Sequence, residues 1–399
     1  MMEDYQYQKY RAALVGYSLP LAFLDLDRME ENIGFILKEA GKKRIRIASK
    51  SIRCVPLIRH ILESGDRFQG VMCFSVPEAL FLSEEHGLDD LLVAYPAWDA
   101  SSLMRVGGEL ASGKRITLMV DCVEHVSRLD AIAQGTDWVF PVCIDMDLSV
   151  SWPGLHFGVR RSPLRSLEAF LELARFIGES PRVELEGVMG YEAQVAGVGD
   201  WVPGKPLRNG IVRLLKQHSI RRIARQRRDW LKALKDRGIK PRFVNGGGTG
   251  SLRETAREDI VTEVTAGSGF FTSVLFDHYR GFHGKPAAGF ALEVTRKPAS
   301  GIVTCAGGGY PASGAAGRDR LPTPWLPEGL KLLPSEGAGE VQTPVCGSGA
   351  LNLDLGDPIL FRHAKAGEMC ERFHEILIIS SGRVVDRYPT YRGEGKCFL

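Results

Sequence analysis

Nowhere in this 399-residue chain does an apolar run approach the roughly 20 residues needed to cross a bilayer. An excess of one charge is missing too. Lys and Arg number 51 against 48 Asp and Glu, a net +3, so bulk charge implies neither a nucleic-acid nor a membrane surface. The one basic concentration, Arg221, Arg222, Arg225, Arg227 and Arg228, spreads its charges round a helix and reads as a solvated face. Paired cysteines are absent: the eight thiols (54, 73, 122, 143, 305, 346, 370 and 397) form no CxxC. Cys73 and Cys143 fall within apolar runs, where a free thiol behaves as a small hydrophobe, and a reducing cytoplasm is the expected compartment. Residues 1–6 lack the basic and apolar regions of an export signal, so none is expected. There is no GxxxxGK[ST] loop and no GxGxxG opening a βαβ unit, which disfavours ATP and NAD.

What is present is a rhythm. Short apolar runs recur at 21–26, 44–48, 70–74, 91–94, 116–121, 138–144, 183–189, 242–244 and 260–264. Amphipathic segments separate them, at 29–40, 55–63, 77–85, 100–111 and 164–177. Strands alternating with helices predict a parallel sheet, and about eight units predict a closed (β/α)8 TIM-type barrel over residues 20–282. After residue 283 helical periodicity fades. Gly- and Pro-rich loops follow, with strands expected at 358–361, 375–380 and 383–388. This stretch, 283–399, predicts a C-terminal β domain that also takes in the N-terminal segment, residues 1–19.

Two features carry chemistry. Arg44-Ile45-Arg46-Ile47-Ala48-Ser49-Lys50 reads as a buried strand ending in a lysine. Loss of hydration there would make the amine a nucleophile for Schiff-base chemistry; the alternative is an amine in solvent just past the strand end. The second feature is a pair of small-residue loops, Asn245-Gly246-Gly247-Gly248-Thr249-Gly250-Ser251 and Thr265-Ala266-Gly267-Ser268-Gly269. Either alone could be a tight turn. Together, after consecutive late strands, they predict the phosphate cradle of a barrel. A ligand with a phosphate at one end and an aldehyde at the other satisfies both features, and pyridoxal 5'-phosphate (PLP) is such a ligand.

An ordered set of short motifs then supports a resemblance. Leu21-Ala22-Phe23-Leu24-Asp25-Leu26-Asp27, Asn32-Ile33, and Arg46-Ile47-Ala48-Ser49-Lys50 come first. Ser75-Val76-Pro77-Glu78-Ala79, Ile144-Asp145-Met146-Asp147, Gly187-Val188-Met189-Gly190-Tyr191-Glu192 and Leu355-Gly356-Asp357 follow. In order and spacing the chain resembles fold-type III PLP enzymes of the alanine racemase N-terminal superfamily, on the D-threonine aldolase and D-serine dehydratase branch. The resemblance implies that Lys50 forms the internal aldimine and shuttles the α proton. It implies that Tyr191 contacts the pyridine nitrogen, and that Gly247, Gly248, Thr249, Gly267 and Ser268 hold the phosphate. A homodimer acting on a small amino acid, without nucleic acid or membrane, is also implied.

The same resemblance implies a divalent ion, zinc or manganese, bound after the Leu-Gly-Asp motif by a histidine and a nearby Asp or Cys. His363 matches the first position. Lys365 occupies the second, which leaves Cys370, or Glu368, as the partner if the loop folds back. His156 stands where the family carries an arginine beside the cofactor's phenolic oxygen, with Arg160 and Arg161 close behind. Gln194 replaces an acid/base histidine. The expected function is a PLP-dependent lyase on a β-hydroxy D-amino acid, by retro-aldol cleavage or elimination. The alternatives are a racemase or epimerase on the same cofactor, a non-catalytic PLP-binding protein, and a phosphate-binding barrel without PLP.

Overall fold

The computed structural model describes residues 2–152 and 154–399. Eight parallel strands close a barrel, taken in chain order: Arg44–Ala48, Phe68–Cys73, Leu91–Val93, Ile116–Val120, Phe140–Met146, Val183–Gly190, Phe243–Gly246 and Glu263–Ala266. The last strand pairs directly with the first, Ala266 opposite Ile47. The barrel interior is packed: Leu92, Ala94, Met119, Cys143, Met189 and Phe243 form one buried cluster, each large side chain contributing about 1.5–3 kcal/mol. Deeper in, Arg46 is buried and meets Glu263 through two hydrogen bonds, 2.8 and 3.0 Å. Asn245 Nδ2 donates to the same carboxylate at 2.8 Å.

The expected first barrel strand lies elsewhere. Leu21–Asp25 pairs antiparallel with Ala288–Ala299 and parallel with Glu375–Ser380, within a nine-stranded sheet built mainly from the C-terminal part. The reason is geometric. Eight strands already close the barrel, and an antiparallel neighbour cannot enter an all-parallel ring. Asp25 ends the strand and caps the helix Leu26–Glu39 by accepting from the Arg28 amide at 3.1 Å. Ahead of that strand the chain forms a helix, Met2–Ala13. Tyr7 donates to the Pro358 carbonyl at 3.0 Å, and Tyr10 to Asp25 at 2.6 Å.

The basic stretch at 221–228 lies in a 30-residue helix, Pro206–Lys235. Its expected role as a solvated face needs one correction, because Arg227 is wholly buried. The two domains meet across the C-terminal end of the barrel. Gly367 packs so close to Ser51 that a Cβ there would lie 2.6 Å from the Ser51 backbone. Arg53 pairs with Glu371 at 2.8 Å, and Tyr391 donates to Glu78 at 3.0 Å.

Candidate active site

A cleft of about 510 Å³ opens at the C-terminal ends of the barrel strands, where barrels place their chemistry. It gathers Lys50, His156, Tyr191, Gly247, Gly248, Thr249, Gly267 and Ser268, all the cofactor residues expected from sequence. The amine and the two small-residue loops thus face one cavity.

Lys50 sits just past the strand Arg44–Ala48, in the turn Ser49–Ser51. Its strand is buried as expected, but the side chain is exposed to the cleft. Burial within the chain therefore does not desolvate it, and a ligand would have to. Its near partner is Tyr95, whose phenol is held below its usual range chiefly by the positive charge of Lys50.

The glycine loops are shaped by close approach. A Cβ on Gly248 would lie 3.1 Å from the Tyr191 ring, and one on Gly267 would lie 2.8 Å from Ala48 Cβ. Gly247 has φ +87°, which favours glycine. Thr249 accepts from the Gly269 amide at 3.0 Å, tying one loop to the other, and Ser268 meets Ser51 hydroxyl to hydroxyl at 3.0 Å. The Gly247 amide is already engaged: it donates to Glu192 at 3.2 Å. Glu192 is buried and also accepts from Ser251 at 3.2 Å, from Thr255, and from Arg227 at 3.3 Å. The loop is thus buckled from beneath by a carboxylate. The sequence shows the Tyr191-Glu192 dipeptide, but its pattern marks only the tyrosine as functional.

Arg161 takes the central cationic position. Its guanidinium lies 5.1 Å from the Tyr95 ring and 5.8 Å from the Tyr191 ring. It pairs with Asp145 at 3.1 Å and donates to the Ala94 carbonyl at 3.1 Å. Of the two arginines following His156, Arg161 reaches in and Arg160 stays exposed. Burial raises the Asp145 carboxyl to about 6, opposed by Arg161. Burial likewise pushes the Tyr191 phenol up to about 12, so that group donates and does not ionise near neutrality. His156 lines the same wall. Its Nδ1 meets Ser151 Oγ at 3.0 Å, and its Nε2 is buried without a partner. Gln194 spends its amide on the Leu148 carbonyl at 2.7 Å, which fixes it as a wall.

The β domain contributes Arg320, Lys365 and Ala366 to the cleft. Lys365 Nζ donates to Ser313 Oγ at 3.2 Å. His363, two residues before it, is buried edge-on to Phe271. Neither of its ring nitrogens has a hydrogen bond of good geometry, and burial lowers its pKa to about 4, leaving a neutral imidazole. Cys370 is buried close to Arg53 and Glu371, its thiol raised to about 12 by burial. His363 and Cys370 belong to no compact set of three metal-ligating side chains among the described residues. The one such set comprises Asp121, Cys122 and His125.

The geometry has counterparts in known proteins. A family model described as alanine racemase, N-terminal domain, matches residues 24–273. The 3-hydroxy-D-aspartate aldolase of Paracoccus denitrificans (strain Pd 1222) is 25% identical over 269 residues, 67% of this chain and 63% of that protein. The D-threonine aldolase of an Arthrobacter species is 24% identical over 258 residues, 64% of this chain and 61% of that protein. The match thus spans under two thirds of the length of these curated relatives. Among solved structures, D-threonine aldolase from Filomicrobium marinum superposes with a TM-score of 0.79 at 18% identity, covering 96% of each chain. D-threo-3-hydroxyaspartate dehydratase from Delftia sp. HT23 gives 0.75 at 20% identity, over 95% of this chain and 98% of that one. At such identities the likeness is one of fold. With the family model spanning more than half of its residues, the chain belongs to the alanine racemase N-terminal domain family.

Proposed function

We propose that this protein is a PLP-dependent lyase that acts on a β-hydroxy D-amino acid, by retro-aldol cleavage or elimination. One observation carries the reading: the amine of Lys50 and the loops 247–249 and 267–268 line the same cleft. The residues fit the cofactor. The lysine is accessible, and the glycines leave space that a Cβ would fill. Bound through Lys50, PLP would supply an electron sink for the carbanion formed at the substrate's Cα.

The chain's own groups then take the following roles. The loops hold the phosphate, with Glu192 fixing the Gly247 turn from below. Arg161, anchored by Asp145, would supply positive charge to the cofactor, and Tyr191 would offer its phenol as a donor. Tyr95, beside Lys50, is placed to exchange a proton with the lysine amine. Lys365 and Arg320 put two cations at the mouth, which supports a substrate bearing a second carboxylate. The relatives named for 3-hydroxyaspartate agree with that choice.

The proposal includes a divalent ion at His363 and Cys370, with a defined cost. The unpartnered neutral imidazole favours a ligand role, whereas the Cys370 thiol would have to lose a proton held up to about 12. A homodimer in the cytoplasm completes the reading. It is supported by the eight free cysteines and by the exposed apolar row Leu207, Ile211 and Leu214 on the long helix. No helix among the described residues is long and apolar enough to cross a membrane.

The test begins with the purified protein. A visible absorbance band that borohydride abolishes, with the reduced adduct mapped to Lys50, is the expected result. Assays on D-threonine, D-serine and 3-hydroxy-D-aspartate should then yield aldehyde or 2-oxo acid. A reducible imine that persists in Lys50→Ala would overturn the assignment.

A further inference from the structure

Away from the cleft, Asp121, Cys122 and His125 converge where the strand Ile116–Val120 hands over to the helix Val123–Ala133. Asp121 Oδ1 lies 3.1 Å from His125 Nδ1, and Cys122 Sγ lies 3.3 Å from the same nitrogen. One donor atom from each of the three residues falls within 4.8 Å of the other two, the one such set among the described residues. None of the three lines the cleft that holds Lys50.

Backbone geometry explains the convergence. Cys122 is the N-cap of its helix and His125 lies three residues on, the two positions whose side chains face each other in a first turn. Asp121 is the last residue before that cap. The Asp121 amide donates to His125 Nδ1 at a long 3.4 Å, a weak contact that an ion on that nitrogen would displace. On its outer side the imidazole stands edge-on to Trp98, ring centres 6.2 Å apart, which limits its rotation.

The two spacings to His125 Nδ1 are close to those of a coordination shell, and the third pair lies within 4.8 Å. Bonds of about 2.0 Å to nitrogen or oxygen and about 2.3 Å to sulfur, set tetrahedrally, place neighbouring donors about 3.3–3.6 Å apart. The observed 3.1 and 3.3 Å need open by only a few tenths of an ångström. Carboxylate, thiolate and imidazole together select a borderline ion of the zinc class over magnesium or calcium, which take oxygen donors. The side chains of Asp121 and His125 remain 12% and 20% accessible, which gives an ion a way in and leaves a fourth position for water.

We propose that Asp121, Cys122 and His125 form a three-ligand site for a zinc-class divalent cation on the rim of the barrel mouth, distinct from any ion at His363. Binding releases the Cys122 thiol proton to solvent and forms the metal–sulfur bond. The site borders the active cleft, because the strand beside it carries Asp145, with Val120 in register with Ile144. The inference requires no part of the lyase reading.

The test uses the purified holoprotein in a Cys370→Ser background, so that any ion at His363 has no thiolate beside it, stripped with a chelator and titrated with Zn²⁺ alone and with Co²⁺ alone. The expected result is one equivalent of Co²⁺ giving a thiolate-to-cobalt charge-transfer band, displaced by Zn²⁺ with release of a proton. Cys122→Ser should lose the band, and His125→Gln should weaken binding at least tenfold. His363→Ala should retain both band and affinity. Folding of each variant is checked by circular dichroism, and the Cys122 and His125 substitutions are conservative at partly exposed positions. Absence of the band in the parent, its persistence in Cys122→Ser, or its loss in His363→Ala would each overturn the proposal. Activity enters none of these readouts, so failure here and failure of the lyase reading are separable.

Discussion

Glu192 Oε2 and Arg227 Nη2 meet 3.3 Å apart in the interior, one next to the tyrosine of the cleft and the other in the C-terminal half of the long helix. Arg227 also pairs with Glu258 and donates to the Gly190 carbonyl at 3.0 Å. One buried cation thus serves two carboxylates, and the first of them fixes the glycine turn. Arg227→Met should leave both acids uncompensated and cost about 3–5 kcal/mol, the range for breaking a buried pair from one side. Urea unfolding measures that loss. If the buckle shapes the phosphate loop, PLP affinity should fall as well. A destabilised variant with unchanged PLP affinity would show that Glu192 braces the fold without shaping the cradle.

The glycines of the two loops should not respond equally to alanine. At Gly248 the new methyl would meet the Tyr191 ring at 3.1 Å and Ala196 Cβ at 3.2 Å, contacts a small movement of the tyrosine relieves. At Gly267 it would meet Ala48 Cβ at 2.8 Å and Ser51 Oγ at 2.9 Å, atoms beside Lys50 on a packed strand end. Overpacking of this kind costs about 1–3 kcal/mol. Gly267→Ala should therefore lose more PLP affinity than Gly248→Ala, read by cofactor titration. The reverse order would mean that the tyrosine, not the strand end, sets the cradle.

The barrel was legible because each strand–helix unit repeats one pattern, and the cleft because strand-end residues in a parallel barrel converge whatever their separation in the chain. Leu21–Asp25 was misplaced for a related reason. A five-residue apolar strand buried on both faces looks the same in a barrel and in a mixed sheet, and only its partners, Ala288–Ala299 and Glu375–Ser380, distinguish the two. Arg227 was hidden among neighbouring arginines that are solvated. Its burial depends on Glu192 and Glu258, which lie more than thirty residues away in sequence. Tyr95 carries no motif and is found only by its position across from Lys50. Local pattern therefore specified the scaffold and the lysine, while the charges that tune the site arise from pairings no window of sequence contains.

Lys365 should govern the choice of substrate. It stands on the cleft with Arg320, its amine tethered among the described residues through Ser313. A charge-assisted contact to a substrate carboxylate is worth about 1.5–3 kcal/mol, on the order of tenfold or more in affinity. Lys365→Ala should raise KM for 3-hydroxy-D-aspartate by at least about tenfold and leave KM for D-threonine nearly unchanged. Steady-state kinetics on the pair of substrates decides it. An equal loss on both would place Lys365 in folding or in the chemistry, not in recognition of a second carboxylate.

Glu78 makes stability depend on pH. It is buried at the start of the helix Val76–Leu80, accepting from the Phe74 amide at 2.7 Å and from Tyr391 of the β domain at 3.0 Å. Burial raises its carboxyl from 4.5 to about 7. The folded protein therefore keeps a proton that the unfolded chain releases, and between those values the native state binds more protons than the unfolded one. This contribution to stability is fully present below pH 4.5, falls as pH rises to about 7, and is level above that. The full difference amounts to about 3 kcal/mol. Glu78→Gln, neutral at every pH, should flatten its share of the fall, so that the variant gains on the parent from pH 5 to pH 8. Asp145, raised to about 6, adds a slope of the same sign to both proteins and cancels in the comparison. Guanidinium unfolding of parent and variant across that range is the measurement, and parallel curves would show that Glu78 is ionised in the folded state throughout.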